Sequence, residues 1–202
     1  MVNYNYDKKR FETFIDAVIA IILTILVLEL RVPEHSKDYN TIQQLGSLLP
    51  SFISYIGSFL LIVGIWLDHN IHCLDLSGVN KRYILLNMLF ILSLSIVPFT
   101  TAFAGHHPHD SFAVALLFIN YCFMNLAFSL LYWYAGWKEL LPDEFYTENK
   151  FNAVYSIAGI VGLIIAIPLA CVNTYISFAL GIIIFGGHLF KKNNQHVTEM
   201  HL

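Results

Sequence analysis

The chain has 202 residues, of which 57% are hydrophobic and only 12% are charged, and its formal net charge is -3. Soluble domains carry roughly 25% charged residues because charge covers much of their surface. This composition therefore excludes a soluble protein and predicts an integral membrane protein without a separate soluble domain. The slightly acidic balance provides no basic surface for nucleic acid, and the well separated Cys73, Cys122 and Cys171 predict no disulfide framework.

Six apolar segments, taken in chain order, predict an all-α polytopic membrane protein. A helix needs about 20 apolar residues to cross a bilayer, and these segments do not alternate as the strands of a membrane barrel do. The predicted spans are 11–30, 45–67, 83–104, 112–134, 153–172 and 175–190. Residues 1–202 are expected to form one six-helix domain in the lipid bilayer, with both termini on the same side.

The basic residues predict which side that is. Nine of the eleven lysines and arginines lie in segments on the side of the termini, whereas Arg31 and Lys37 lie on the other. Cytoplasmic loops carry such an excess of positive charge. We therefore expect a multi-pass protein of the cell membrane with cytoplasmic termini. Trp66, Trp133 and Trp137 fall near the same interface, where indole rings are favoured.

The first span carries charge at its N-terminal end. Arg10, Glu12 and Asp16 precede or enter the apolar run. An ionisable residue inside a span is costly and is by default a functional hypothesis. Asp16 lies only about one and a half turns inside the span, so a hydrogen-bonded anchor for helix packing is an equally good interpretation.

An apolar stripe follows along the same helix. Ile21, Thr24, Ile25 and Leu28 have the spacing i, i+3, i+4 and i+7 and therefore share one face. This pattern alone is typical of ordinary packing, with the Thr24 hydroxyl bonded to its own backbone. The alternative is a dry constriction lined by this face.

The end of the second span is the next polar cluster. His69 and His72 share a helix face. With Asp68 or Asp75 they could ligate zinc or iron. The competing interpretation is a polar cluster of Asp68, His69 and Asn70 that gives partners to the charges of the first helix. Elsewhere the sequence contains no GxSxG, HExxH or glycine-rich phosphate loop, so we expect no enzyme.

Three stretches resemble the transmembrane protein 175 family. The run from Arg10 to Ile21 is similar to the RxxxFSD motif that opens these channels, although Ile15 replaces the usual serine. Thr24 and the pair Leu28-Glu29 continue the likeness. Residues 64–70 and 87–101 resemble the end of the family's second helix and its third helix.

The resemblance implies a leak-type channel that selects potassium over sodium, with potassium as the permeant ion and no cofactor. It implies a homotetramer, so that the partners are further copies of the chain, lipid and monovalent cations. Four first helices would then surround the pore, with the narrowest ring at Ile21, the next at Thr24 or Ile25, and the outer one at Leu28. Apolar rings of this kind gate by dewetting.

The same resemblance assigns a structural network to the cytoplasmic end of the first helix. Its members would be Arg10, Phe14 and Asp16, with Asp68 and His69 as partners.

Two other classes of function remain open. One is a proton- or cation-coupled secondary transporter using Asp16, His69 and His72. The other is a membrane metalloenzyme using His69, His72 and Asp75.

Overall fold

The computed structural model describes residues 6–31, 40–141 and 150–189. Over these ranges the chain is helical, in agreement with the all-α prediction. The helices are α1 Lys8–Leu28, α2 Thr41–Ser47, α3 Leu49–Asp75, α4 Lys81–Ser95, α5 Val97–His106, α6 Ser111–Trp137, α7 Lys150–Val172 and α8 Thr174–Leu189.

Within the described ranges each predicted span overlaps a helix, and four segments reach spanning length. Among the described residues, four segments are long and apolar enough to cross a membrane: Lys8–Leu28, Leu49–Leu74, Lys81–His106 and Ser111–Trp137. A shorter apolar helix covers Gly159–Val172. The described ranges therefore establish a helical membrane protein with at least four candidate spans.

The boundaries predicted for the second span, 45–67, are wrong at both ends. A separate short helix, α2, occupies residues 41–47, and Asn40 caps it by accepting a hydrogen bond from the Gln43 backbone nitrogen at 2.8 Å. Helix α3 then begins at Leu49 with Pro50 in its first turn, where the missing proline N–H breaks no helical bond. It continues to Asp75, and two of the polar residues beyond the apolar run, His69 and His72, are buried inside the bundle.

The third predicted span, 83–104, is broken in the middle. Helix α4 ends with Ile96 as its C-cap, and α5 begins at Val97 with Pro98 in its first turn. Proline has no amide hydrogen for the helical ladder and clashes with the preceding turn. The break is therefore the local consequence of Pro98.

Helix α6 contacts several other helices of the bundle. It packs against α4, α5, α7 and α8, and α1 lies against α3, α4 and α5. Inside this core the Ser58 hydroxyl lies 2.7 Å from the Thr101 hydroxyl and 2.6 Å from the Tyr121 hydroxyl. These three side chains are buried. They join α3, α5 and α6 by hydrogen bonds that satisfy polar groups where no water reaches them.

One end of the bundle gathers the start of α1 with the α3–α4 connection and the end of α6. The Lys8 amine donates to the Leu76 carbonyl at 2.7 Å. The Ser77 backbone nitrogen donates to the Leu140 carbonyl at 2.9 Å. The Tyr134 hydroxyl donates to the Asn80 side-chain oxygen at 3.1 Å. We call this the N-terminal end of the bundle.

Candidate functional site

Helix α1 has one buried face and one open face. The buried face repeats at intervals of three or four residues and packs into the core; it consists of Phe11, Ile15, Ile19, Ile22 and Leu26. The opposite face remains exposed in a single copy of the chain, although it is almost as apolar. An apolar helix face in a membrane protein must meet lipid, another helix or a pore.

The stripe predicted from the sequence lies on this open face. Ile21, Ile25 and Leu28 are exposed large apolar side chains, and Thr24 is exposed between them. The Thr24 hydroxyl donates to the Ile21 carbonyl at 2.7 Å. This is the backbone bond that the sequence predicts. Packing within the same chain does not explain the stripe, because these side chains do not enter the core of one copy.

The first turn of α1 is fixed by Asp7 and Lys8. The Asp7 carboxylate caps the helix by accepting from the Arg10 backbone nitrogen at 3.2 Å. The Lys8 amine reaches the end of α3, and it also lies 3.6 Å from the Glu12 carboxylate. In the sequence, Lys8 is one of the nine basic residues on the side of the termini, and the sequence indicates no other role for it. Its role depends on the distance between α1 and α3, which the spacing along one helix does not indicate.

Asp16 is held by Trp66, a residue that the sequence indicates only as part of the membrane interface. The Trp66 indole nitrogen donates to Asp16 Oδ1 at 2.9 Å, which joins α1 to α3. A carboxylate accepts stronger hydrogen bonds than a neutral group. A signal in the sequence is that Trp66 lies two residues before Asp68 and three before His69, on the helix that is expected to supply the partner.

Two members of the predicted network around Asp16 meet at one place. Asp16 and His69 line one small cavity of about 70 Å³. Arg10 and Phe14 are exposed and do not line this cavity. The backbone carbonyl of Asp68 accepts a hydrogen bond from the Tyr132 hydroxyl at 3.4 Å. The joint role of these five residues as one network stays a prediction.

The two histidines of α3 are packed among aromatic rings. The Asn87 amide donates to His69 Nε2 at 2.9 Å, and the His69 ring stacks on Phe90 with centroids 5.4 Å apart. The His72 ring stacks on Tyr132 with centroids 4.0 Å apart. Both imidazoles therefore hold α3 against α4 and α6.

This packing bears on the predicted metal site. Among the described residues, no group of three or more histidine, cysteine, aspartate or glutamate side chains is placed to hold a metal ion. The Asp75 side chain lies outside the described residues. The positions of His69 and His72 are explained by ring stacking and by the Asn87 hydrogen bond.

Comparison with known proteins identifies relatives for this arrangement. The family model described as endosomal/lysosomal potassium channel TMEM175 matches residues 10–98. The chain is 30% identical over 132 residues to a potassium channel of Streptomyces collinus, covering 63% of this chain and 64% of the relative. It is 34% identical over 124 residues to a potassium channel of a Chryseobacterium species, covering 61% and 62%. The chain thus spans a little under two thirds of the length of these two relatives.

A solved structure shows the same fold. It is the crystal structure of a lysosomal potassium-selective channel TMEM175 homolog from Chamaesiphon minutus, and it superposes with a TM-score of 0.83. The superposition covers 92% of this chain and 98% of that chain at 23% sequence identity. The helix arrangement is therefore shared over nearly the whole of both chains.

Proposed function

Since the chain belongs to the TMEM175 family of ion channels, we propose that it is a potassium-selective leak channel in which four copies surround one pore. Ion channels of this family are not enzymes. The observation that carries the proposal is the open face of α1 from Ile21 to Leu28, which is apolar, unused by the core of one copy, and carries the Thr24 hydroxyl between its apolar side chains.

Assembly around α1 gives this face a role. Successive residues of a helix are rotated by about 100°, so Thr24, Ile25 and Leu28 all lie within about 60° of Ile21. If four copies turn this sector to a common axis, each position becomes a ring. The buried face of α1 then remains in contact with α3, α4 and α5 of its own copy.

The chemistry of these rings suits a leak pathway. An apolar ring at Ile21 or Leu28 conducts only when it is wide enough to remain wetted. Thr24 uses its single hydroxyl hydrogen in the bond to the Ile21 carbonyl. Its oxygen therefore keeps lone pairs that can face a partly dehydrated cation. Few such ligands replace the hydration shell, so we expect modest selectivity for potassium over sodium.

The charge distribution supports a cytoplasmic position for the N-terminal end of the bundle. Six basic residues of the described ranges lie there or in the adjoining first turns: Lys8, Lys9, Arg10, Lys81, Arg82 and Lys138. Arg31 follows α1 at the opposite end. This asymmetry follows the positive-inside rule. With α7 and α8 as the fifth and sixth spans, residues 1–202 form one domain of the cell membrane with cytoplasmic termini.

Substitution of Ile21 tests the pore assignment. Ile21→Asn places an amide in the proposed constriction, so it should keep the ring hydrated and raise sodium permeability severalfold relative to potassium. The measurement is the reversal potential of purified channels in planar bilayers with potassium on one side and sodium on the other. The variant should move this potential toward zero.

Leu92→Asn is the matched control for this experiment. Leu92 lies on α4 and is 55% exposed in one copy, against 56% for Ile21. It receives the same substitution but is not on α1, so its reversal potential should equal that of the unmodified protein. An unchanged potential in Ile21→Asn, or equal shifts in both variants, would rule out Ile21 as the constriction.

The alternative of a coupled secondary transporter receives less support. It requires Asp16, His69 and His72 to share one path. Asp16 and His69 line the same cavity, whereas His72 stacks on Tyr132 and does not line it. Saturable flux driven by a pH gradient, without unitary current steps, would favour the transporter.

A further inference from the structure

A groove between α4 and α6 is not used by the proposed pore. It has a volume of about 410 Å³ and lies on the outside of the protomer. Its walls are almost entirely apolar and include Leu85, Leu86, Leu89, Leu130 and Trp133. Arg82 lies at one end of the groove and is its charged residue. This volume lies in the range of about 300–1,000 Å³ that is typical of small-molecule sites.

Arg82 gives the groove one charged end. It lies in the first turn of α4 and is exposed. No carboxylate lines the groove. Among the described residues, no ion pair or side-chain hydrogen bond includes the Arg82 guanidinium. The neighbouring Lys81 adds a second exposed cation at this end. An anionic group fits this position better than a neutral one.

Aromatic residues indicate how deep this end lies in the membrane. The rings of Trp133 and Trp137 stack with centroids 5.9 Å apart, and both are exposed. The Lys138 amine lies 3.7 Å from the centroid of the Trp137 ring. Tryptophan and lysine side chains of this kind mark the level of the lipid headgroups. Arg82 begins its helix at the same end of the bundle, since Tyr134 donates to Asn80.

We infer that this groove binds an anionic phospholipid from the leaflet at the N-terminal end of the bundle. One acyl chain lies along the leucines of α4 and α6, and the phosphate contacts the Arg82 guanidinium. Guanidinium and phosphate form bidentate charge-assisted hydrogen bonds. The site is independent of the pore, since it requires only that the protein lies in a membrane.

A lipid fits the groove better than a second copy of the chain. A protein neighbour at this face would bury Arg82 and Lys81 away from water, and unpaired buried cations are costly. A lipid instead supplies the anion together with the apolar chain. The open face of α1 lies on a different helix, so assembly through α1 does not require the groove.

Native mass spectrometry of the full chain tests this inference. The protein is reconstituted in nanodiscs of phosphatidylcholine containing increasing phosphatidylglycerol, and the number of retained lipids of each kind is counted. The unmodified chain should retain phosphatidylglycerol in preference to phosphatidylcholine. Arg82→Gln should weaken this retention about fivefold, the effect expected for one cation near a membrane surface. Leu89→Trp, which fills the groove, should weaken retention of the whole lipid.

Arg31→Gln is the matched control, because it removes another exposed arginine, which follows α1 at the other end of the bundle. It should leave the retention unchanged. Equal retention of the two lipids by the unmodified chain would overturn the inference, as would equal effects of Arg82→Gln and Arg31→Gln. Two further results would also overturn it. One is complete displacement of the lipid by glycerophosphoglycerol, because this compound lacks acyl chains. The other is a disulfide between two copies that carry Leu85→Cys, because it would place a second copy at the groove. No ion flux is measured, so the outcome is separate from the channel assignment.

Discussion

Helices α1 and α6 are both apolar and long enough to span a membrane, but one copy of the chain uses them differently. In the most apolar 18-residue segment of α6, 56% of the residues are buried, whereas in the corresponding segment of α1 only 28% are buried. Helix α6 packs against four other helices, α4, α5, α7 and α8, whereas α1 packs with one face only. The comparison teaches that one chain covers α6 on several sides and leaves the larger part of α1 uncovered.

The hydrogen bonds of polar side chains differ between α6 and α1 in the same way. Around α6 they bond to other helices, as Tyr121 and Thr101 do through Ser58. On the open side of α1 the hydroxyls of Thr13 and Thr24 bond to carbonyls of their own helix. Such local bonds satisfy the hydroxyl hydrogen without requiring a neighbour. The open face can therefore meet a pore or another copy without leaving a buried donor unpaired.

Truncation of one phenylalanine on each helix should give the largest difference in the free energy of unfolding between α6 and α1. Phe118 of α6 is 1% exposed and Phe14 of α1 is 51% exposed. Phe118→Ala leaves a cavity, so the free energy of unfolding should fall by about 3–5 kcal/mol. Phe14→Ala should change it by less than about 1 kcal/mol, because its ring makes fewer contacts within one copy. Chemical unfolding of the monomer in detergent measures both, and equal losses would abolish the distinction between the two helices.

The bond between Asp16 and Trp66 should have the next largest effect, since it is a polar connection from α1 to the core. Trp66→Phe removes the indole donor. Because the acceptor is charged but the bond is exposed, we expect a loss of about 1.5 kcal/mol in the free energy of unfolding, the lower end of the range for such bonds. Asp16→Ala removes the acceptor from the same bond. The double variant should therefore be less destabilised than the sum of the two single variants. Strictly additive losses would show that the bond does not couple the two helices.

Removal of the Tyr121 hydroxyl should have the smallest effect. Tyr121→Phe keeps the ring and deletes one member of the buried cluster with Ser58. Interhelical hydrogen bonds in membranes contribute about 0.6 kcal/mol on average and up to about 1.7. We expect a loss in this range, with the reversal potential unchanged. A shift in ion selectivity would show that the α6 core takes part in conduction.

The sequence predicts the helices better than their ends. Within the described ranges each apolar run overlaps a helix, because hydropathy reflects the lipid environment directly. Helix α3 runs eight residues past Leu67, the end that the apolar run predicts, because His69 and His72 face inward onto aromatic rings. A hydropathy scale gives histidine the same polar value whether its ring is buried or exposed. The sequence does not predict the helix break at Ile96 either, because the apolar run continues through it and a membrane span can contain a proline such as Pro98.

The candidate site was predictable within one helix but not between helices. The periodicity of α1 places Ile21, Thr24, Ile25 and Leu28 on one face, and the structure shows that this face is open. The partner of Asp16 depends on how α3 crosses α1, and spacing along a single helix contains no information about that crossing. The sequence therefore indicates Trp66 only as a residue of the membrane–water interface.

The position of α1 in the assembled particle tests the central claim most directly. An experimental structure of the purified oligomer should show four copies of α1 around one axis, with Ile21 and Leu28 directed toward that axis and Ile22 packed within each copy. A particle with α1 at its periphery, or with Ile22 facing the axis in place of Ile21, would contradict the account.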